Sequence, residues 1–163
     1  YIEAQGFIRV RVLGTEGLSI GEVNLYKTPG QHGERAKIEP VCRQQGLPYD
    51  AMGVVLKAPG EKTLYVAGDT IFCDEVKQTL QSYQPEVIIV NACAARVASG
   101  DRLIMDANDV EQTALHAPGA VLIASHMDEV SHLSLTRQQL RDFITRKKMS
   151  QVKIPENGES LEF

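Results

Sequence analysis

The sequence has little that would support a membrane span, a nucleic-acid-binding face or a disulfide framework. No apolar run approaches the roughly 20 residues that a membrane-spanning helix needs. The net charge of −4 disfavours a basic face for nucleic acid. Three widely spaced cysteines, Cys42, Cys73 and Cys93, are too few and too far apart for a disulfide scaffold. We therefore expect reduced thiols in the cytoplasm, with neither a membrane nor a nucleic acid as partner.

Paired histidines are also missing. The four histidines, His32, His116, His126 and His132, are far apart, and none belongs to an H-x-H-x-D-H pattern. What the sequence does have is 163 residues with an ordinary hydrophobic content of 43%, which is enough for one domain spanning 1–163 with a sizeable core.

Apolar periodicity predicts a mixed α/β fold. Strands are predicted at 7–13, 23–26, 52–58, 63–67, 86–90, 120–124, 152–154 and 160–163. Helices are predicted at 72–83, 106–117 and 134–148. The last helix should begin with a capping box of Thr136 and Gln139, and the last two strands should form a hairpin around Asn157 and Gly158. Glycines and prolines in 31–48 indicate a loop.

Three short motifs each place a metal-capable side chain where an apolar run meets a loop. They are T-P-G-Q-H-G at 28–33, Y-V-A-G-D-T at 65–70 and I-A-S-H at 123–126. Their side chains, His32, Asp69 and His126, suit zinc, manganese or iron. Strand ends can direct such ligands into one pocket, so we expect the three to line a shared cavity. Asp69 could bridge two cations that activate water, and we assign it a catalytic role.

Each ligand candidate also has a structural interpretation. Asp69 could cap the helix predicted from Phe72, His32 could be an exposed loop histidine, and His126 could be hydrogen-bonded in the core at a strand end.

Two further residues are candidates for contacts with the substrate or with the ligands. His132 follows His126 by six residues, and it is equally well explained as a loop histidine. Asp128, with Glu129, could orient an imidazole or a substrate group, although such an acidic pair is more often simply solvated.

The order and the residues of the three motifs resemble those of the metallo-β-lactamase superfamily of metal-dependent hydrolases, over about residues 7–163. The resemblance implies an αββα sandwich in which His32 binds one metal, His126 binds the other and Asp69 bridges both. It implies water attack on an ester, lactone or phosphoester of a small molecule, with Asp101 in a loop beside the active site. The segments 100–106, 126–132 and 154–159 are similar to the branch that contains L-ascorbate-6-phosphate lactonase.

The superfamily's H-x-H-x-D-H signature, expected before His32, is absent. The chain begins at Tyr1 rather than at a methionine, so we interpret it as the C-terminal portion of such a domain. A degenerate family member, or a chain completed by a separate polypeptide, are the alternatives. Each metal would keep only Asp69 and one histidine, so we expect weak or absent metal and negligible hydrolysis by this chain alone.

An incomplete sandwich leaves sheet surface and strand edges uncovered, so we expect a homo-oligomer or association with the missing N-terminal portion. Two other functions stay open. Phosphotransfer through Asp69 is disfavoured because no lysine or glycine-rich phosphate cradle accompanies it. A non-catalytic binding or scaffold domain is the other alternative, because the signature motif is missing.

Overall fold

The chain is a mixed α/β structure, as predicted. The computed structural model describes residues 2–46, 49–128, 131 and 133–163, so the candidate His132 lies outside the described residues. Within them the strands are β1 (Leu18–Ile20), β2 (Val23–Gln31), β3 (Asp50–Lys57), β4 (Leu64–Val66), β5 (Val87–Asn91), β6 (Val121–Ser125) and β7 (Val152–Lys153). The α-helices are α1 (Arg35–Gln45), α2 (Asp74–Tyr83), α3 (Ala107–His116) and α4 (Arg137–Lys147).

The strands form one seven-stranded sheet in sequence order, β1 to β7. Strands β1 to β4 pair antiparallel, whereas β4 to β7 pair parallel and are joined by α2, α3 and α4. Because β3 lies antiparallel between β2 and β4, β2 runs in the same direction as β4 to β7. The carboxyl ends of β2, β4, β5 and β6 therefore meet at one edge of the sheet.

One face of this sheet carries the core. The register aligns a row of side chains across six strands: Tyr26, Val55, Tyr65, Ile88, Leu122 and Val152. All but Tyr26 are buried, and they pack with the buried side chains of α2, α3 and α4. Successive side chains of a strand point to opposite faces of the sheet, so the residues next to these point to the other face.

The opposite face of the sheet is also apolar, but it is only half-buried. Its side chains are Leu25, Val54, Leu56, Leu64, Val66, Ile89, Val121 and Ile123. Strands that read as apolar on both faces are typical of sheets covered on both sides. The described residues thus supply one sheet and a helical layer on one face of it.

Three predicted elements are wrong. Residues 7–13 are irregular rather than a strand, and Phe7, Ile8 and Val12 are exposed. Ser160 to Phe163 form no strand either, and β7 pairs parallel with β6 instead of folding into a hairpin. For residues 7–13 the alternation of apolar and polar residues gave a wrong prediction, because a strand also needs a neighbouring strand to pair with.

The segment 31–48 contains a helix that the prediction missed. Helix α1 includes Pro40 in its interior, which costs a hydrogen bond and normally ends a helix. Glu39 pairs with both Arg35 and Arg43 one turn away on either side, and Ile38 is buried. These side-chain contacts support the helix against the proline.

The other helices begin and end close to the predicted positions. Asp106 caps α3 by accepting a hydrogen bond from the Asp109 amide at 3.0 Å. The capping box of Thr136 and Gln139 is present at α4. None of the helices in the described part of the chain combines the length and apolar character needed to cross a bilayer.

Candidate metal centre

His32 lies on a tight bend directly after β2. The Gly33 amide donates to the Gln31 carbonyl at 2.9 Å, so His32 is the central residue of a three-residue turn. Gly33 has φ +88°, and a Cβ there would lie 2.6 Å from the Arg102 carbonyl oxygen. Only glycine fits both requirements, which agrees with the predicted sharp turn beside His32.

Asp69 occupies the same kind of bend after β4. The Thr70 amide donates to the Gly68 carbonyl at 3.1 Å, with Asp69 at the centre. Gly68 has φ +70°, and a Cβ there would lie 2.6 Å from the Met52 carbonyl oxygen. The helix α2 begins only at Asp74, with Cys73 as its N-cap, so Asp69 is not the cap.

These two bends are hydrogen-bonded to each other. The Gln31 amide donates to Thr70 Oγ1, and the Ile71 amide donates to the Gln31 carbonyl, both at 2.9 Å. The Gln31 side chain also donates to both Glu75 carboxylate oxygens at 3.0 and 2.9 Å. The neighbours of His32 and Asp69 along the chain are therefore in direct contact, and both bends are anchored to α2.

The third bend is linked to Asp69 through the end of β5. Asn91 Nδ2 donates to Asp69 Oδ1 at 2.6 Å. Asn91 pairs with Ser125 in the β5–β6 register, and His126 follows Ser125 directly. His126 itself has φ +57°, in the left-handed region that side chains other than glycine rarely adopt. The carboxyl edge of the sheet thus carries all three predicted ligand positions.

Asp128 lies two residues beyond His126 and is held by α4. Its Oδ1 accepts from the Arg137 amide at 3.1 Å and its Oδ2 from Arg137 Nη1 at 3.2 Å. Asp128 is nevertheless exposed to solvent, and Glu129 lies outside the described residues, so the alternative of a solvated acidic pair stays open. Whether it contacts a substrate stays a prediction.

Asp101 lines a cavity of about 450 Å³ next to the first two bends. The cavity's other lining residues are Glu34, Lys37, Ile71, Arg96, Gly100 and Arg102. Glu34 and Ile71 each lie two residues from a candidate ligand, His32 and Asp69 respectively. A cavity of this size suits a small molecule, and the contact of Asp101 with a substrate stays a prediction.

Cys93 is buried on the inner side of this edge. Burial raises the pKa of the Cys93 thiol, and the negative charges of Asp69 and Asp128 raise it further. Since a thiolate is the reactive form, the raised pKa agrees with the absence of any nucleophilic assignment for Cys93 from the sequence.

A buried carboxylate on α3 supports the Asp69 bend. Asp109 Oδ2 accepts from the Phe72 amide at 3.1 Å and lies 3.1 Å from Arg102 Nη2. Arg102 also pairs with Asp106. Burial raises the pKa of Asp109, whereas the positive charge of Arg102 opposes that rise. The Asp109–Arg102 pair therefore joins the start of α2 to the loop that follows β5.

The donor types fit a metal ion, but the described side chains do not complete a site. Among the described residues no group of three or more His, Cys, Asp or Glu side chains is arranged to hold an ion. His126 lines a cavity of about 320 Å³ to which neither His32 nor Asp69 contributes. The edge brings the three motifs together without closing a ligand set, and the zinc assignment and the shared cavity stay predictions.

Three residues that support this edge were missed from the sequence. Thr70 and Asn91 hydrogen-bond the His32 and Asp69 bends, and Arg137 hydrogen-bonds Asp128, two residues beyond His126. A signal existed for Asn91, because it is a polar residue at the end of the buried run V-I-I-V. Arg137 carries no such signal, because its partners lie 9 and 20 residues away.

Comparisons with known proteins find relatives that cover nearly the whole chain. No family model matches it. The UPF0173 protein YddR of Bacillus subtilis (strain 168) is 36% identical over 163 residues, which are 99% of this chain and 61% of YddR. The chain therefore spans about three fifths of the length of this curated relative.

Solved structures agree with this similarity. The isothiocyanate hydrolase from Delia radicum gut bacteria has a TM-score of 0.90 and 34% identity, over 99% of this chain and 62% of that one. A possible metal-dependent hydrolase from Veillonella parvula DSM 2008 has a TM-score of 0.90 and 36% identity, over 97% of this chain and 60% of that one.

A more distant structure identifies the fold. The metallo-β-lactamase fold protein YhfI from Bacillus subtilis has a TM-score of 0.58 and 16% identity, over 88% of this chain and 50% of YhfI. The chain has the metallo-β-lactamase fold, as its motifs predicted.

Proposed function

We propose that the protein carrying this chain is a metal-dependent hydrolase, in which the chain supplies the carboxyl edge of the sheet. One observation carries the proposal: the His32, Asp69 and His126 bends follow β2, β4 and β6 at a single edge. The hydrogen bonds from the Gln31 amide to Thr70 and from Asn91 to Asp69 connect these bends. The similarity to proteins described as hydrolases supports the same function.

Each ligand candidate has a distinct role in this proposal. Asp69 keeps one oxygen free of the Asn91 hydrogen bond, so its carboxylate can still bind an ion. His32 and His126 follow β2 and β6, which lie on either side of β4 in the sheet. A bound metal would lower the pKa of water and polarise the scissile group.

The chain supplies too few ligands for this chemistry alone. Catalytic zinc sites use about three protein ligands each, whereas this edge offers Asp69 and one histidine to each of two ions. We propose that the remaining ligands come from the part of the protein that YddR has and this chain does not span. The chain alone should therefore bind metal weakly or not at all.

Metal titration tests this proposal. We would measure Zn²⁺ and Co²⁺ binding calorimetrically for the 163-residue chain and for a version extended to the length of its relatives. We expect weak or no binding by the chain and tight binding by the extended protein. In the extended protein, His32→Ala, Asp69→Asn and His126→Ala should each lower the affinity.

His116→Ala is the matched control. His116 is also half-buried, but it lies at the end of α3, toward the opposite edge of the sheet. It should leave the affinity unchanged. Equal losses for His116→Ala and the three ligand variants, or a fully occupied site in the 163-residue chain, would contradict the proposal.

The substrate is proposed only by class. The resemblance, including that to the lactonase-like branch, favours an ester, lactone or phosphoester as substrate. We propose that it binds in the cavity beside Asp101. The similarity to an isothiocyanate hydrolase adds a second candidate, an isothiocyanate. Assaying the extended protein against each of the four classes would show which one it hydrolyses, with Asp69→Asn as the inactive reference. A metal-loaded extended protein that hydrolyses none of them would favour the binding or scaffold alternative.

We also propose a reducing compartment, the cytoplasm. In the described part of the chain Cys42, Cys73 and Cys93 are all unpaired. Free thiols persist where glutathione and thioredoxin keep them reduced.

A further inference from the structure

We propose that Arg137 is a positioning residue that fixes the bend carrying His126. The proposal rests on the proposed function, since it matters for catalysis only if His126 is a ligand. It assigns Arg137 a task that neither the sequence motifs nor the similarity to known hydrolases assign.

The bend after β6 is strained and needs support. His126 has φ +57° and Asp128 has φ +62°, and both lie in the left-handed region. L-residues other than glycine adopt this region at an energetic cost. Such conformations persist where the surrounding structure holds them, and they cluster at functional sites. Some contact must therefore hold these two residues.

Arg137 provides that contact through both its backbone and its side chain. The Arg137 amide donates to Asp128 Oδ1, and Nη1 donates to Oδ2. The Asp128 carboxylate is thus held by two hydrogen bonds from one residue. Charge-assisted hydrogen bonds of this kind are the stronger ones and also fix geometry. The Arg137 side chain is mostly buried, with 14% of its surface exposed, whereas the Asp128 side chain is 36% exposed.

The same guanidinium reaches the segment after β7. Arg137 Nη2 donates to Asn157 Oδ1 at 2.9 Å, and Nη1 lies 3.7 Å from Glu156 Oε2. The cavity of about 320 Å³ beside His126 is lined by Arg137, Glu156 and Asn157 as well as by His126. Arg137 therefore joins the His126 bend to the segment that forms the other wall of its cavity.

Two observations argue against a role in helix formation alone. The start of α4 is already capped by Thr136 and Gln139, which satisfy each other's backbone amides. Arg137 Nε is buried and has no hydrogen-bond partner within the described residues. A second partner for this donor would have to come from outside the contacts that cap α4.

The first experiment measures the bend itself and needs no metal. In the 163-residue chain, the intraresidue nuclear Overhauser effect between the backbone amide proton and Hα reports φ at His126 and Asp128, because these two protons lie closest together at positive φ. We expect Arg137→Gln to weaken this effect at both residues. Arg141→Gln is the matched control, because Arg141 also lies on α4 and also pairs with Glu156, but Asp128 is held by Arg137. An unchanged effect in Arg137→Gln, or equal weakening in both variants, would overturn the proposal.

The second experiment measures the consequence for the ligand. In the extended protein we expect Arg137→Gln to weaken Co²⁺ binding by about 10- to 100-fold, the effect typical of residues that orient metal ligands. Arg137→Lys should recover only part of the affinity, because an ammonium lacks the planar fork. Arg141→Gln should bind Co²⁺ like the unaltered protein. Unfolding in urea would confirm that the compared variants are folded.

The outcomes separate the proposal from the function on which it rests. If the extended protein binds no Co²⁺ but Arg137→Gln alone disturbs the bend, the proposed function fails and the positioning of the bend stands. If Co²⁺ binds and Arg137→Gln leaves its affinity and its absorption spectrum unchanged, the positioning role is wrong and the function stands.

Discussion

Replacing Thr70 with valine should test whether the hydrogen bonds between the His32 and Asp69 bends hold the site edge together. Thr70 is fully buried, with 0% of its surface exposed. Its Oγ1 accepts from the Gln31 amide and donates to the Ile71 carbonyl, both at 2.9 Å. Valine has nearly the same shape but offers neither bond, so Thr70→Val removes the hydroxyl without leaving a cavity.

The magnitude follows from the two backbone groups that lose a partner. A buried polar group left without its hydrogen bond costs about 1–3 kcal/mol. Gln31 is half-buried and water can partly replace the lost partner, so we expect a total loss of about 2–3 kcal/mol in the free energy of unfolding. A domain with about 5–15 kcal/mol of stability would show this clearly.

Urea unfolding measures this loss, and Thr145→Val is its control. Thr145 Oγ1 also bonds a backbone carbonyl, that of Arg141 at 2.8 Å, but Thr145 is exposed on α4. Thr145→Val should change the stability by less than about 0.5 kcal/mol, as exposed substitutions usually do. If both variants lose the same small amount, the Thr70 hydroxyl does not connect the two bends and our reasoning about this edge is wrong.

Three further predictions concern other parts of the fold. Burial raises the pKa of Asp109 above its ordinary value of 3.8, so the folded protein binds this proton more tightly than the unfolded chain does. The free energy of unfolding should therefore fall as the pH rises from about 3.8 through the raised pKa. Asp109→Asn should remove this decline, and an unchanged pH profile of the urea midpoint would contradict it. Gly68→Ala should cost about 1–3 kcal/mol by overpacking, whereas Gly119→Ala, which faces open space, should not, and equal urea midpoints would refute this. Light scattering should show the 163-residue chain self-associating or retaining a partner through its apolar sheet face, and a monomer across a wide concentration range would count against this.

The carboxyl edge of the sheet could be predicted from local sequence because its signals are local. Apolar runs that end in Gly68-Asp69 or Ser125-His126 report a strand end and a polar side chain within a few residues of each other. The glycine at 33 marks a bend for the same reason, since its φ of +88° is one that glycine adopts without strain. Such information survives without any knowledge of the tertiary fold.

The elements that were mispredicted depend on distant partners. Residues 7–13 alternate like a strand, yet they do not pair with the described sheet, which begins at β1. Helix α1 forms despite Pro40, with the side chain of Ile38 buried in the fold. A tertiary contact of this kind can override propensity and is not visible in a local window. The ion pairs of Glu39 with Arg35 and Arg43 are local by contrast, because each spans one helical turn.

The architecture of the edge bears on what limits metal binding. Its bends are fixed by backbone turns, by glycines and by the Thr70 and Asn91 hydrogen bonds, none of which involves a metal. Protein groups alone thus connect the His32 and Asp69 bends, and in our proposal Arg137 fixes the His126 bend through Asp128. A preorganised edge costs little to order on binding, so adding the missing ligands should raise the affinity steeply. If the extended protein still binds metal weakly, the deficit lies in the geometry of this edge and not in the number of ligands.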